Sequence, residues 1–547
     1  MTSTEVASDG LGRASALMAS GSMVSRVLGV VRNAMLGFCI GGMGGASSAF
    51  QSANTLPNII FILLQSGVLT AILIPQLTRA LRSEGGGGEA IDALLTAAFV
   101  LVGGVTVLAT VFAGPLIALI GLQGTVANLG TAFAVLCLPQ IFFYAAYAIW
   151  SQVLNVKGRF GITMWTPALA NVVQIAGMAV FLGMFTRAAP ADAWTPQMIW
   201  LLAGTSTLGI VIQAVALLPA FRSIGYRWRP NFRLRGHGFG SSVRVAGWMV
   251  AAVVIAQLGG LLTQKAINTV SERAREAGHL VPGLNVYQLA FTIFMVPHGV
   301  VTVSILTALL PRMTRAAQKG DNQALRADVN RGLMLPLLAM VPLTAAAIGL
   351  AVPGCALLNP GLDEASVRAI ALAFSLMSLG LVPYAVAGLQ QRFNTAREDG
   401  RTYLLFQAIV TGVQVLFAVA ILFLPDAAGV TVIAAGQSVG NAVAALVFLP
   451  LAQRQLGGLA LRRLRDLTGR LALASTVPGV LTWALVELIH RYAGHGLVQS
   501  AASLAVGGLL FLVVFLAMVR LLRLHELGLL LGRVARRFLP HAPRHAA

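Results

Sequence analysis

The sequence predicts an all-α polytopic membrane protein with about 14 transmembrane helices, arranged as two parallel six-helix repeats followed by two C-terminal helices. Three observations predict this fold class. The chain is 57% hydrophobic and only 10% charged, it contains a series of apolar segments of membrane-spanning length, and one of its motifs is duplicated. Soluble globular domains are less apolar and carry more charge. The chain is therefore expected to fold within a lipid bilayer.

The predicted helices are found with windows of about 20 residues, the length that crosses a bilayer as an α-helix. Several contain an internal proline, including Pro57, Pro167 and Pro297. Such interruptions predict kinked helices around a cavity instead of straight lipid-facing rods. The segments lie at 16–42, 48–80, 92–120, 127–155, 160–186, 197–221, 241–271, 284–311, 332–356, 366–394, 402–424, 429–452, 471–490 and 497–520.

Positive charge is distributed unevenly between the two sides. With the N-terminus inside, most of the 38 Lys and Arg residues fall in cytoplasmic loops and tails, and only five arginines fall in outer loops. This positive-inside pattern predicts an even number of spans with both termini in the cytoplasm. It also explains the net charge of +20 by topology and attraction to anionic lipid headgroups, so no nucleic-acid partner is needed. The outer arginines are Arg187, Arg273, Arg275, Arg368 and Arg491.

An internal repeat is visible in the motifs "ILIPQLTRA" at 72–80 and "ALLPRMTRA" at 308–316. Both copies end on the cytoplasmic side, six predicted spans apart, which indicates a parallel repeat about an axis along the membrane normal. The final tail alternates apolar and basic residues, which favours a membrane-surface helix over a partner-binding one. The predicted divisions are a cytoplasmic tail (1–15), an N-terminal six-helix lobe (16–221), a basic linker (222–240), a C-terminal six-helix lobe (241–455), a second basic linker (456–470), two extra helices (471–520) and a basic amphipathic cytoplasmic tail (521–547).

Three cations, Arg26, Arg32 and Lys265, fall inside predicted spans. Each costs about 2.5–3.5 kcal/mol at a helix centre, although a residue near a helix end, as Lys265 is, can snorkel to the interface instead. Arg26 and Arg32 are separated by about 9 Å of rise and about 120° of rotation, so both can border a wide lumen. Among acidic residues, Glu487 alone is predicted to lie clearly within a span. Unpaired arginines therefore indicate a water-filled cavity for an anion, for which phosphate oxygens are suitable.

Other chemistry is not predicted. The three cysteines lie in apolar segments without CxxC or Cys/His clusters, so neither a disulfide framework nor a metal site is indicated, and we expect no cofactor. No P-loop is present, which makes ATP hydrolysis by this chain unexpected. The acidic pairs Glu272/Glu276, Asp363/Glu364 and Glu398/Asp399 are interpreted as solvated loop charges. The chain is therefore predicted not to be an enzyme. The membrane potential is the favoured energy source, with coupling to sodium or chloride as the open alternative.

Four stretches together resemble successive signatures of a known family: "SRVLGVVRNAMLG", "ANTLPNIIFILLQSGVLTAILIPQLTRAL", "LNVKGRFGITMWTPALANVV" and "VPHGVVTVSILTALLPRM". They are similar to the MurJ/MviN family of lipid II flippases, in the multidrug/oligosaccharidyl-lipid/polysaccharide exporter superfamily. The resemblance implies alternating access in the bacterial cytoplasmic membrane, with lipid II (undecaprenyl-pyrophosphoryl-GlcNAc-MurNAc-pentapeptide) carried to the outer leaflet. It also implies that Arg26 and Arg32 are cavity arginines and that the last two helices form a groove for the polyprenyl tail.

The sequence departs from the family pattern at several charged positions. Neutral side chains at Ser48, Phe61, Ser66 and Thr292 stand where the family often has charges. The pyrophosphate site would then use fewer charges, with Asn58, Gln65 and Gln288 as polar helpers, and ordinary interhelical hydrogen bonding is the alternative role of these three. The predicted substrate-binding residues are Arg26, Arg32, Asn58 and Lys265.

Alternative functions stay open at this point. A flippase for another polyprenyl-pyrophosphate-linked glycan would share the anionic headgroup. A multidrug exporter would need acidic groups for cationic drugs, and a membrane enzyme would need carboxylates or metal ligands near the interface. The expected partners are lipid II and membrane lipids, with cell-wall synthesis proteins as further candidates.

Overall fold

In the computed structural model, the described residues are 3–66, 88–157, 159–223, 228–232, 243–494, 496–524 and 527. All regular secondary structure in these ranges is helical, which confirms the predicted all-α class. Helices suit a bilayer because each satisfies its backbone hydrogen bonds internally. The helices are α1 (Ser3–Ile40), α2 (Gly45–Leu64), α3 (Gly88–Val111), α4 (Ala113–Leu119), α5 (Gly124–Cys137), α6 (Gln140–Val156), α7 (Phe160–Met184), α8 (Pro196–Ile199), α9 (Thr205–Val215), α10 (Leu218–Ser223), α11 (Val243–Glu276), α12 (Leu284–Pro297), α13 (Val303–Gln318), α14 (Asn322–Gly349), α15 (Ala351–Leu358), α16 (Glu364–Ser378), α17 (Leu381–Ala396), α18 (Gly400–Ala420), α19 (Gly429–Gln455), α20 (Leu461–Ala493) and α21 (Leu497–Leu521).

The number of spans agrees with the prediction. Within the described residues, 12 helical segments are long and apolar enough to cross a membrane, and α16 with α17, bent by 53°, make a thirteenth when counted together. The second predicted span, 48–80, is described only in its first part, as α2. The motif copy at 72–80 and nearly all of the predicted tail at 521–547 lie outside the described residues.

Some helices extend further than the hydropathy of the sequence predicts. Helix α1 begins at Ser3, inside the predicted tail, and α20 begins at Leu461, so most of the predicted linker 456–470 is helical. Hydropathy marks only the apolar part of a helix, whereas backbone hydrogen bonding continues into water. In the linker 222–240, the short segment 228–232 contacts α3, because the Asn231 N–H donates to Thr96 Oγ1 at 2.9 Å.

The helices group into two compact units. One comprises Met1–Gln288, Leu358–Ala369 and Asp399–Gly436, and the other the remaining ranges. In the first unit, α1 packs along α7, α9 lies against α6 and α7, and α11 packs on α18 and α2. In the second unit, α14 contacts α13, α17 and α20, and α21 pairs with α20. The predicted lobes, 16–221 and 241–455, stay a prediction.

Two acidic residues near helix ends are buried by ion pairs. Glu272, expected to be a solvated loop charge, is 4% exposed and forms an ion pair with Arg275 inside α11, so that interpretation is wrong. Asp328 is 3% exposed and pairs with Arg312 and Arg331 at 3.0 Å each. Both lie near the ends of their helices, where hydropathy does not report burial by ion pairing.

The close crossing of α9 and α7 gives a test of the helix packing in the first unit. A Cβ at Gly209 of α9 would lie 2.8 Å from the Ala170 carbonyl oxygen of α7, so we expect Gly209→Ala to destabilise the protein by about 1–3 kcal/mol. Thermal unfolding of the purified protein would show a lowered midpoint. Gly103→Ala is the matched control, since nothing lies within 4 Å of a Cβ there and alanine favours the helix by about 1 kcal/mol. Equal midpoints for the two variants would contradict the packing.

Candidate anion-binding site

The face of α1 that packs on α7 is defined by small residues one helical turn apart. A Cβ at Gly21 would lie 2.7 Å from Trp165 Cδ1, and Asn171 Nδ2 donates to the Ser25 carbonyl oxygen at 3.0 Å. Small residues at this spacing let two membrane helices approach closely. This contact fixes the rotation of α1 and with it the directions of Arg26 and Arg32.

The two arginines of α1 have different surroundings. Arg26 is exposed, whereas Arg32 is half-buried. The Arg26 and Arg32 side chains leave α1 about 120° apart. Arg32 points back toward the side of α1 that packs on α7, which explains why it is half-buried and Arg26 is exposed. The structure therefore places one guanidinium among side chains of its own unit and leaves the other at the surface.

Arg32 contacts a neutral oxygen acceptor. Its Nε and Nη2 donate to Asn33 Oδ1 at 3.3 and 2.9 Å. Among the described residues, no carboxylate forms an ion pair with Arg26, Arg32 or Lys265. The positive charge of Arg32 is thus oriented without being neutralised.

Tyr144 is the first member of a chain of hydrogen bonds. Its hydroxyl donates to Gln140 Oε1 at 3.2 Å, Gln140 Nε2 donates to Thr207 Oγ1 at 2.9 Å, and the Thr207 hydroxyl donates to the Leu136 carbonyl oxygen at 2.6 Å. The ring of Tyr144 packs against Phe61, with centroids 5.6 Å apart. We name Tyr144, Gln140 and Thr207 the Tyr144 relay. Sequence reasoning missed it, although Gln140 and Tyr144 are polar residues one turn apart in an apolar segment.

The other predicted site residues lie at different places. Asn58 is exposed on α2, three residues before Phe61 and therefore on the same helix face. Lys265 is exposed on α11, beside the loop at Gly121, where a Cβ would lie 2.9 Å from the Lys265 carbonyl oxygen. Asn58 thus shares the face of α2 on which Phe61 packs against Tyr144. Lys265 stays a predicted site residue at a different point of the unit.

No metal site is found in this part of the molecule. Within the ranges that the structure describes, no group of three or more His, Cys, Asp or Glu side chains is arranged to hold a metal ion. Cys39 and Cys137 are buried and free, and Cys355 is buried. The chemistry that the Arg32 site offers is anion binding by a guanidinium and neutral polar groups.

Comparison with known proteins identifies the family. A family model described as lipid II flippase MurJ matches residues 40–503. This chain belongs to the lipid II flippase MurJ family. A protein named probable lipid II flippase MurJ from Synechocystis sp. is 23% identical to this MurJ-family chain over 98% of it and 99% of the relative. Another with that name, from Rhizobium meliloti, is 24% identical over 90% of each chain.

Solved structures show the same fold. A lipid II flippase MurJ in an inward closed conformation matches this MurJ-family chain with a TM-score of 0.69 at 15% identity, covering 92% of this chain and 99% of its own. An inward-facing multidrug resistance transporter of the MATE family matches with a TM-score of 0.61 at 16% identity, covering 82% and 98%. The chain therefore shares its fold with both structures, and the family assignment rests on the sequence match.

Three positions where the sequence is predicted to depart from the family pattern carry neutral side chains on or next to α2. The ring of Phe61 packs on Tyr144, and the Ser66 hydroxyl donates to the Ile62 carbonyl oxygen at 2.8 Å. Ser48 is buried in the first turn of α2.

Proposed function

We propose that this MurJ-family chain carries lipid II from the inner to the outer leaflet of the bacterial cytoplasmic membrane by alternating access. The observation that carries the proposal is Arg32, a half-buried guanidinium in a membrane helix whose described partners are neutral. An unneutralised cation costs several kcal/mol within a membrane. A diphosphate would compensate that cost, because guanidinium and phosphate form short, bidentate, charge-assisted hydrogen bonds. Both termini are proposed to be cytoplasmic.

The proposed headgroup site uses the four residues predicted from the sequence. Arg32 would bind the diphosphate, Arg26 would attract it from the open side of α1, and Asn58 would donate hydrogen bonds from α2. Lys265 lies beside Gly121, at a different place in the unit from Arg32. We therefore propose that Lys265 contacts the headgroup at another stage of the cycle. The role proposed for the protein is transport, with no covalent chemistry on the substrate.

Apolar cavities in the second unit support a place for the polyprenyl tail. Two cavities of about 270 and 330 Å³ are lined by α14, α17 and α20, the first also by α19, and Val382 lines both. Their lining on α14 runs from Gly332 to Ile348, which is about 24 Å at the rise of an α-helix. An apolar row of this length matches an extended isoprenoid chain, so we propose that α20 and the helices beside it bind the lipid tail.

Contacts at the predicted outer end of α1 support alternating access. Asn285 Nδ2 donates to the carbonyl oxygens of Gly41 and Gly42 at 3.0 and 3.3 Å. A Cβ at Gly361 would lie 2.7 Å from the Phe38 backbone nitrogen, so the loop after α15 sits tightly against α1. These contacts close the predicted outer side within one unit. Release of the headgroup to the outer leaflet would require them to separate.

Reconstituted transport tests the proposed function. In liposomes that contain the purified chain, labelled lipid II is expected to cross the bilayer much faster than in empty liposomes. A potential that is negative on the starting side should increase the rate, since it favours movement of an anion by about 2.3 kcal/mol per charge per 100 mV. Movement of lipid II at the protein-free rate, with rapid movement of another polyprenyl-pyrophosphate-linked glycan, would favour the alternative cargo. A rate that is indifferent to potential would contradict the energy source.

A further inference from the structure

A cavity of about 460 Å³ lies in the first unit, where four predicted outer loops meet. Its walls are the turn between α1 and α2, the start of α5, the loop after α7, and the end of α11 with the residues that follow it. None of the four predicted substrate-binding residues lines it. Cavities of this size are typical of sites for small molecules. We name it the outer cavity.

Backbone contacts hold one wall of the outer cavity in shape. Ala188 has a φ of +48°, a left-handed conformation that is uncommon for a residue other than glycine, and its N–H donates to the Cys39 carbonyl oxygen at 3.1 Å. Trp194 Nε1 donates to the Ala189 carbonyl oxygen at 3.1 Å. The loop after α7 is thus fixed at both ends of its lining segment, and the wall is formed before any ligand binds.

Two side chains of opposite charge line the outer cavity. Asp192 is exposed, and its carboxylate forms no ion pair or hydrogen bond within the described part of the chain. Arg275 donates from Nε and Nη2 to Glu272 Oε2, which orients its guanidinium, whereas its Nη1 has no partner among the described residues. The cavity therefore offers a carboxylate acceptor and a guanidinium donor that no described side chain uses.

These groups define the chemistry of a ligand. A carboxylate binds an ammonium group and a guanidinium binds a carboxylate, each through charge-assisted hydrogen bonds. Small or apolar side chains, including Ala189, Ala191 and Met43, complete the lining and suit methyl groups. We propose that the outer cavity binds a short peptide, with its amino group at Asp192 and its carboxylate at Arg275. A dipeptide spans at most about 7 Å, which a cavity of this volume accommodates.

The outer cavity is part of the closed outer side of the first unit. A Cβ at Gly44 would lie 3.8 Å from Leu280 Cδ2, and both residues line the cavity. Asn285 Nδ2 donates to the Gly41 and Gly42 carbonyl oxygens beside it. A ligand that binds only the closed arrangement shifts the population toward it. Peptide binding is independent of the proposed function, and only an effect of the peptide on transport rests on it.

Binding of alanyl-alanine to the purified chain in nanodiscs, measured by isothermal titration calorimetry, tests the assignment. The N-acetylated and the C-amidated dipeptide each lack one charged group, and each is expected to bind about tenfold more weakly. Asp192→Asn should weaken binding of the free dipeptide about tenfold and leave binding of the acetylated form unchanged, because the ammonium partner is absent there. Equal affinity of the unmodified chain and Asp192→Asn for the free dipeptide, or no binding at all, would overturn the proposal.

Glu364→Gln is the matched control. It also removes an exposed carboxylate, but from a pair with Arg368 that does not line the outer cavity, so the affinity for the dipeptide should not change. An equal loss in Glu364→Gln and Asp192→Asn would indicate an effect of overall charge and would contradict the site. Asp192 is the residue to replace, because removing Arg275 would leave the buried Glu272 carboxylate unpaired.

Two further measurements identify the source of the peptide and its effect. Displacement of the dipeptide by the soluble pentapeptide of lipid II would assign the outer cavity to the peptide of the substrate, and binding without displacement would assign it to free peptides. In proteoliposomes, saturating dipeptide on the outer side is expected to slow lipid II movement at least about twofold, and Asp192→Asn should be insensitive. An unchanged rate would overturn stabilisation of the closed side. If the chain binds the dipeptide but moves no lipid II, the proposed function fails while the binding site holds.

Discussion

Replacing Arg32 with alanine is expected to abolish lipid II movement while the protein stays folded in the membrane. The variant loses charge-assisted hydrogen bonds to the diphosphate, each contributing about 1.5–3 kcal/mol, which corresponds to a loss of affinity of about 10- to 100-fold. It also removes a cation that costs about 2.5–3.5 kcal/mol in a span. Lost transport therefore cannot be attributed to poorer insertion. The measurement is the transport rate in proteoliposomes at matched protein content.

Two variants sharpen this test. Arg32→Lys keeps the charge but loses the planar fork, so we expect partial activity. Arg368→Ala removes one positive charge from an exposed pair with Glu364, where a surface ion pair contributes about 0–1 kcal/mol, and it should transport at the normal rate. Full activity of Arg32→Ala would remove Arg32 from the substrate site.

Cross-linking the predicted outer end of α1 is expected to stop transport almost completely. A Cβ at Gly37 would lie 3.4 Å from Leu362 Cγ, the atom in whose place a cysteine carries its sulfur, so cysteines at the two positions would lie close enough to be joined by a disulfide. The variant carries Gly37→Cys and Leu362→Cys, with alanine at the three natural cysteines. Oxidation should hold the outer contacts closed, and reduction should restore transport.

The single-cysteine variants are the controls for this experiment, and oxidation should leave their transport rates unchanged. Mass spectrometry of the oxidised protein reports the fraction that is cross-linked. Normal transport by fully cross-linked protein would show that the outer end of α1 need not open, and alternating access on that side would then be abandoned.

Much of the architecture could be predicted from the sequence because bilayer thickness sets a minimum length for each apolar segment. The arginines of α1 stood out for the same reason, as charges that interrupt such a segment. The ends of helices could not be predicted in this way. Glu272 and Asp328 lie where α11 and α14 leave the apolar region, and their burial depends on ion pairs with arginines, which hydropathy does not report.

The surroundings of Arg32 could be predicted only in part. Arg32 was predicted as a site residue, but its half-buried position depends on how α1 rotates against α7, which follows from contacts at Ser25 and Asn171. The Tyr144 relay joins α5, α6 and α9 through single hydrogen bonds. No spacing in the sequence reveals which polar residue of one helix meets which residue of another.

Spheroplasts depleted of their own flippase show whether this chain exposes lipid II on the outer face of the membrane. The fraction of lipid II accessible from outside is measured with the intact chain and with Arg32→Ala at equal membrane levels. We expect the intact chain to restore outer exposure and the variant not to restore it. Failure of a well-expressed intact chain to restore exposure would contradict this expectation.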